Sequence, residues 1–231
     1  MKKKLTKLNI YDILFALIGV SLCGIGVGFA NCAALGLDSI GILYDGIRNI
    51  LGFSADMLGV ASFIVSGVLV IFLFFAARKY VSLGTFIYIV AYGSFITVGN
   101  IIYSALIYEN TMFVRIVFSV LGYLLLYLGI AIYVAIDIGV DSFTGVVLYL
   151  TDVTHFEMKY IKIVFDIALI IIGAVLGGTL GVATFVTMVL AGPIIQFLTK
   201  RCQKMYFKFK LRDVKRAKNE GKEEKERNEK D

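Results

Sequence analysis

Two Asp-Ser pairs are the residues best suited to handle a charged solute. They stand in matching contexts, Leu35-Gly36-Leu37-Asp38-Ser39 and Ile138-Gly139-Val140-Asp141-Ser142. A carboxylate and a hydroxyl at the start of a helix have two uses. They can cap it, accepting hydrogen bonds from its orphan N–H groups at the positive end of the helix dipole. They can also offer a cation or a proton a binding point beside a helix break. Asp166 adds a third carboxylate inside an apolar stretch, with Lys162 four residues before it. An ionisable residue at membrane depth is costly and points to function, although an i, i+4 pair near a span's end can simply neutralise itself, with the lysine snorkelling. Asp38, Ser39, Asp141, Ser142, Lys162 and Asp166 are therefore the candidates for a solute or ion pathway.

Enzyme chemistry has little to stand on. His155 is the only histidine and has no His or Cys companion, so no metal set or nucleophile–base set is visible. Cys23, Cys32 and Cys202 form no spaced framework and read as small packing residues. No cofactor is expected. Gly24-Ile25-Gly26-Val27-Gly28 imitates a nucleotide fingerprint, but it lies inside an apolar run with no strand before it, which points to close helix contact through small residues. Asn31 and Asn100, at the ends of their runs, suit interhelical hydrogen bonds.

The elements that must position these residues are membrane helices. The chain has 231 residues, 59% of them hydrophobic and only 17% charged, with a mean hydropathy of +0.86. Soluble domains average about 45–50% apolar and about 25% charged, so lipid must be the solvent for much of this surface. A soluble enzyme, a secreted disulfide scaffold and a disordered chain are excluded. Charge-free runs cover residues 13–37, 57–77, 80–108, 116–136 and 167–199. The first is too long for a cleavable signal segment. The last divides at Gly177-Gly178 and Gly181 into helices over about 160–178 and 181–199, giving six spans of roughly 20 residues. Gly36 and Gly139 are expected to make tight bends, Gly177 and Gly178 a hinge, and Pro193 a further hinge or packing point.

Charge sets the orientation. The Lys2–Lys4 cluster with Lys7, the Arg78-Lys79 loop and the segment 200–218 all fall on one side if both termini are cytoplasmic. The net charge of +6 resides wholly in residues 200–231, which hold thirteen basic and seven acidic residues. A basic tail behind an apolar body suits anionic headgroups better than nucleic acid. Lys200, Arg201, Lys204, Lys208, Lys210 and Arg212 are the expected lipid contacts, and residues 219–231 a solvated, partly disordered end. With no Trp, the thirteen Tyr are expected to supply the aromatic belt.

The sequence also repeats. Gly26, Gly36, Asp38 and Ser39 match Gly129, Gly139, Asp141 and Ser142 at an offset of 103, and Thr85, Phe86 and Gly93 match Thr184, Phe185 and Gly192 at 99. Three spans per half is an odd number, so the halves must be inverted, as in many secondary transporters. Each half has a short helix after its first span. In the first half Ile40, Leu43, Tyr44, Ile47, Ile50 and Leu51 form an apolar stripe, with Asp45, Arg48 and Asn49 opposite. The expected fold is all-α: a basic N-terminus (1–10), two inverted three-span repeats (11–108 and 112–199), each with an interfacial or re-entrant helix, and a tail (200–231).

The stretch Lys162-Ile163-Val164-Phe165-Asp166 through Leu176-Gly177-Gly178-Thr179-Leu180-Gly181-Val182-Ala183-Thr184 to Gly192-Pro193-Ile194-Ile195-Gln196-Phe197, with Leu43-Tyr44-Asp45-Gly46 in the first half, resembles the YitT/YczE group of bacterial integral membrane proteins. Ser39 stands where that group commonly has Pro, and Ala183 where it has Gly. The resemblance implies a small multi-pass protein of the bacterial inner membrane. Function is then expected to be secondary transport or export of a small solute, coupled to protons or cations. The alternative is a non-transporting membrane partner that assembles with itself or another protein. A polar cavity on which both Asp-Ser starts converge would favour transport; a dry core with both carboxylates consumed by caps would favour the partner.

Overall fold

The computed structural model describes residues 10–228, and side chains for residues 10–208 apart from residue 83. The expected N-terminal basic cluster and the side chains of Lys210 and Arg212 lie outside the described residues. The described chain is all helical: α1 (Ile10–Ala33), α2 (Ser39–Ile50), α3 (Leu58–Ala76), α4 (Leu83–Leu106), α5 (Met112–Ile136), α6 (Ser142–Thr154), α7 (Met158–Val175) and α8 (Val182–Asn228), with single 3-10 turns before α3 and α4. Five segments are long and apolar enough to cross a membrane: Ile10–Ala33, Ala55–Ala76, Gly84–Leu106, Met112–Ile136 and Val182–Lys208. The 24 residues of α1 span about 36 Å at 1.5 Å per residue, enough for a hydrocarbon layer of about 30 Å. Large apolar side chains such as Phe75, Val175 and Val182 face outward from the bundle, where lipid, unlike water, imposes no cost.

The expected fifth span, over about 160–178, corresponds to α7, whose 18 residues carry Lys159, Lys162 and Asp166. That charge leaves it short of the five others. The last helix also differs from expectation. It does not end near residue 199 but continues to Asn228, because the basic stretch is rich in Lys, Arg and Glu, all good helix formers. It passes through Pro193 without ending. The end expected to be partly disordered is helical as far as Asn228.

The centre is a crossing of α1 with α5 and α4 in which glycines bring backbones together. A Cβ at Gly26 would lie 2.4 Å from the Gly122 carbonyl oxygen, and one at Gly129 would lie 2.4 Å from that of Gly19. On the neighbouring face of α1, Gly24 and Gly28 meet α4 at Tyr92–Phe95 and Ile96–Asn100. The fingerprint-like glycines thus serve helix contact. Asn31 donates to Asn100 Oδ1 (3.3 Å), and Asn100 donates to the Asp56 carbonyl (3.0 Å), tying α1, α4 and the start of α3 together. The tyrosines depart from the expected belt. Tyr44, Tyr92, Tyr103, Tyr123, Tyr127 and Tyr133 are buried in the bundle, where an aromatic ring contributes more packing area than any aliphatic side chain.

Candidate functional site

The two Asp-Ser pairs begin α2 and α6, as their spacing from the preceding glycines predicts. Two backbone junctions hold them. Ahead of α2, the Leu35 carbonyl accepts from the Ala183 N–H (3.0 Å) at the start of α8. A Cβ at Gly36 would sit 2.6 Å from Thr184 Oγ1, and Gly36 has φ +109°, a conformation that favours glycine. Ahead of α6, Thr85 Oγ1 at the start of α4 donates to the Val140 carbonyl (2.8 Å). A Cβ at Gly139 would lie 2.0 Å from Ser82 Oγ. Gly139 makes no positive-φ bend; it is required by close approach.

The short helices also grip the hairpin turns of the opposite half. Asn49 donates to the Gly177 carbonyl in the α7–α8 turn, and Lys79 and Tyr80 in the α3–α4 turn donate to Asp152 of α6. The polar face drawn for α2 needs correction at Asp45. Its side chain is buried, paired with Arg48 (2.7 Å), and accepts from Thr179 N and Thr179 Oγ1, both at 2.7 Å. It clasps the α7–α8 turn. Gly177, at φ +86°, makes that turn. Gly178 allows close contact, since a Cβ there would meet the Ile42 carbonyl at 2.4 Å.

Asp38, Ser39, Asp141, Lys162 and Asp166, five of the six candidate pathway residues, line one cavity of about 440 Å³ between α2, α4, α5, α6, α7 and α8. Ser142 is buried but is not part of the wall. Ser39 Oγ donates to Asp166 Oδ1 (2.9 Å), which also takes the Lys162 ammonium. The i, i+4 ion pair therefore exists, and a hydroxyl from α2 completes it. Asp141 Oδ2 accepts from Thr144 N (3.0 Å), a true cap; the Asp38 carboxylate lies beside Gly41 in the first turn of α2 but outside the geometry of a cap hydrogen bond.

Aromatic and apolar side chains form the rest of the wall. Tyr88, Tyr127, Phe143 and Phe165 contribute rings. These were missed in the sequence, where a tyrosine in an apolar run looks the same whether it faces lipid or a cavity. The one available signal is Tyr123 and Tyr127 at i, i+4, which places both on one face of α5, where their rings stack at 6.1 Å.

On the basic segment, Lys200, Arg201, Lys204 and Lys208 are exposed, and the Arg201 guanidinium lies 4.7 Å from the centre of the Phe197 ring. Tyr206 turns back to the bundle, donating to Asp12 at the start of α1 and meeting Phe15 edge-on.

Residues 10–200 match a family described as a family of unknown function, DUF6198. A relative described as an uncharacterized protein of Haemophilus influenzae is 26% identical over 185 residues, covering 80% of each chain. No solved structure matches.

Proposed function

The chain belongs to the DUF6198 family, and from that starting point we propose that it is a small secondary transporter or exporter of the bacterial inner membrane. Asp38, Ser39, Asp141, Lys162 and Asp166 form its polar pathway, with Ser142 supporting the second helix start. One observation carries the reading: both Asp-Ser helix starts and the Asp166–Lys162 pair open on the same cavity. An assembly partner has no need of such a cavity, because intramembrane charge is expensive to keep.

The inverted-repeat reading draws support from the α1–α5 crossing. An offset of 103 exchanges Gly19 with Gly122 and Gly26 with Gly129, so the contacts Gly19–Gly129 and Gly26–Gly122 map onto each other. The fifth of the six spans is then α7, shortened and charged where it lines the pathway, and α2 and α6 are re-entrant helices. Both termini are cytoplasmic, with the 200–218 segment on anionic headgroups. The likeness to the YitT/YczE group fits this placement.

A second reading, a non-transporting membrane partner, has one observation in its favour: the Asp141 carboxylate is occupied by its cap. Gradient-driven flux in proteoliposomes separates the two. Wild-type protein under an imposed pH gradient is expected to move a solute from a broad panel, with Asp166→Asn and Asp141→Asn folded but impaired. Absence of flux for every solute overturns the transport reading.

A further inference from the structure

We propose that the cavity's ligand is an amphiphilic organic amine in its protonated form, reaching the site sideways between α7 and α8. The inference rests on the transport reading for its biological meaning, but the ligand class is argued from the cavity alone.

Charge is the first argument. Three carboxylates, Asp38, Asp141 and Asp166, and one ammonium, Lys162, face the cavity. The N-termini of α2 and α6 begin at its wall and add roughly half a positive charge each. With the carboxylates ionised, about one net negative charge remains, which one monovalent cation neutralises. An anion would be repelled. Among the described residues, no group of three or more His, Cys, Asp or Glu side chains converges as a metal site would require, so the three carboxylates act as separate points on the wall.

Shape and lining are the second argument. The volume of about 440 Å³ falls within the roughly 300–1,000 Å³ of small-molecule sites. Tyr88, Phe143 and Phe165 stand in the same wall as the carboxylates, a combination that suits a cation with an apolar body. Tyr127 is also in this wall, 4% exposed, and its Oη has no hydrogen-bond partner.

The route is the third argument. Whereas α3 and α4 lie along each other, α7 and α8 do not among the described residues. Between them is an apolar recess of about 180 Å³, lined by Ile167, Ile170, Ile171, Thr184, Phe185 and Met188. Ile170, Thr184 and Met188 belong to both spaces. The cavity therefore adjoins a lipophilic slot on the bundle's flank, which admits a molecule already partitioned into the bilayer.

Calorimetric titration of the full chain in detergent tests this with four probes: 2-phenylethylammonium, the neutral 2-phenylethanol, the anionic 3-phenylpropanoate, and ethylammonium, which keeps the head and lacks the ring. The phenylethyl cation is expected to bind at least tenfold more tightly than each of the others. Asp38→Asn, which keeps an oxygen that can accept from the first turn of α2, should weaken it at least tenfold. Equal or tighter binding of the neutral or anionic probe overturns the proposal. So does binding of none of them, or binding indifferent to Asp38→Asn in a folded protein. Binding without flux would remove the transport reading and leave the ligand class standing. Flux of another solute without amine binding would remove the ligand class alone.

Discussion

Ser39 Oγ donates a 2.9 Å hydrogen bond to Asp166 Oδ1 across 127 residues of sequence. The contact links the first residue of α2 to the middle of α7, and through the shared carboxylate to Lys162. It makes the short helix of one half part of the charged wall contributed by the other.

That link should be measurable as coupling. In a double-mutant cycle of Ser39→Ala and Asp166→Asn, thermal unfolding in detergent should give an interaction of about 1 kcal/mol, the ordinary net worth of a hydrogen bond. The pair is partly exposed to the cavity, so the larger values seen for buried charged bonds do not apply. Additive effects would show that the bond contributes nothing in solution.

Glycine replacement should separate crossing points from open ones. Gly26→Ala and Gly129→Ala each place a methyl 2.4 Å from a backbone oxygen, so α1 and α5 must move apart, at a cost of about 1–3 kcal/mol. A Cβ at Gly67 in α3 would meet nothing within 4 Å. Gly67→Ala should be neutral, or stabilising by about 0.5–1 kcal/mol through helix propensity. Equal melting shifts for all three would contradict the close crossing.

Asp45 should behave as a structural clasp. Asp45→Asn leaves Arg48 without its ion pair and weakens both bonds to Thr179. Breaking one partner of a buried pair typically costs about 3–5 kcal/mol. Limited proteolysis should find the 176–181 turn newly accessible, whereas Asp56→Asn should leave it protected.

The Lys79 ammonium, helped by the Tyr80 hydroxyl, holds the Asp152 carboxyl below the usual carboxylate range. Because the native pKa is the lower one, the contact stabilises fully above the unfolded-state value, about 3.9. That stabilisation fades as pH falls through the native value. The protection of the amides at residues 78–82, taken relative to intrinsic exchange, should fall on acidification from pH 5 towards 3. In Lys79→Met the fall should begin at higher pH, and an unchanged profile would argue that the contact is not formed.

The exposed cations of the α8 extension should recognise anionic lipid. Changing Lys200, Arg201, Lys204 and Lys208 to Gln should remove most of the thermal stabilisation that phosphatidylglycerol vesicles give over phosphatidylcholine. The expected loss is roughly 1 kcal/mol for each charge near the surface. Equal stabilisation of wild type and variant would place the lipid contact elsewhere.

Much of this architecture is readable from the chain alone, because the signals are local. Long charge-free runs must be helices in lipid, since each backbone group has to find its partner within the segment. Gly36 and Gly139, followed at two residues by Asp38 and Asp141, mark the starts of α2 and α6 to the residue. Lys162 and Asp166, one helical turn apart, are a pair on any helix. What local signals misjudge are the residues whose surroundings come from elsewhere. Asp45 reads as one side of a polar face, yet Thr179 buries it. Tyr127 reads as belt material, yet it stands in the cavity wall.

The sequence by itself determined the class of solvent, the helices and the residues able to carry charge, for hydropathy and capping act within a few residues of each other. Only the tertiary structure decided which of those residues meet. Asp38, Asp141 and Asp166 share a cavity because glycine contacts at the α1–α5 crossing and the junctions at Leu35 and Val140 fix how the helices lie. Ser39 reaches Asp166 in the cavity wall while Ser142 is buried outside it, although their local sequences match. Identical spacing gives identical propensity, and only the packed neighbours make the two positions different.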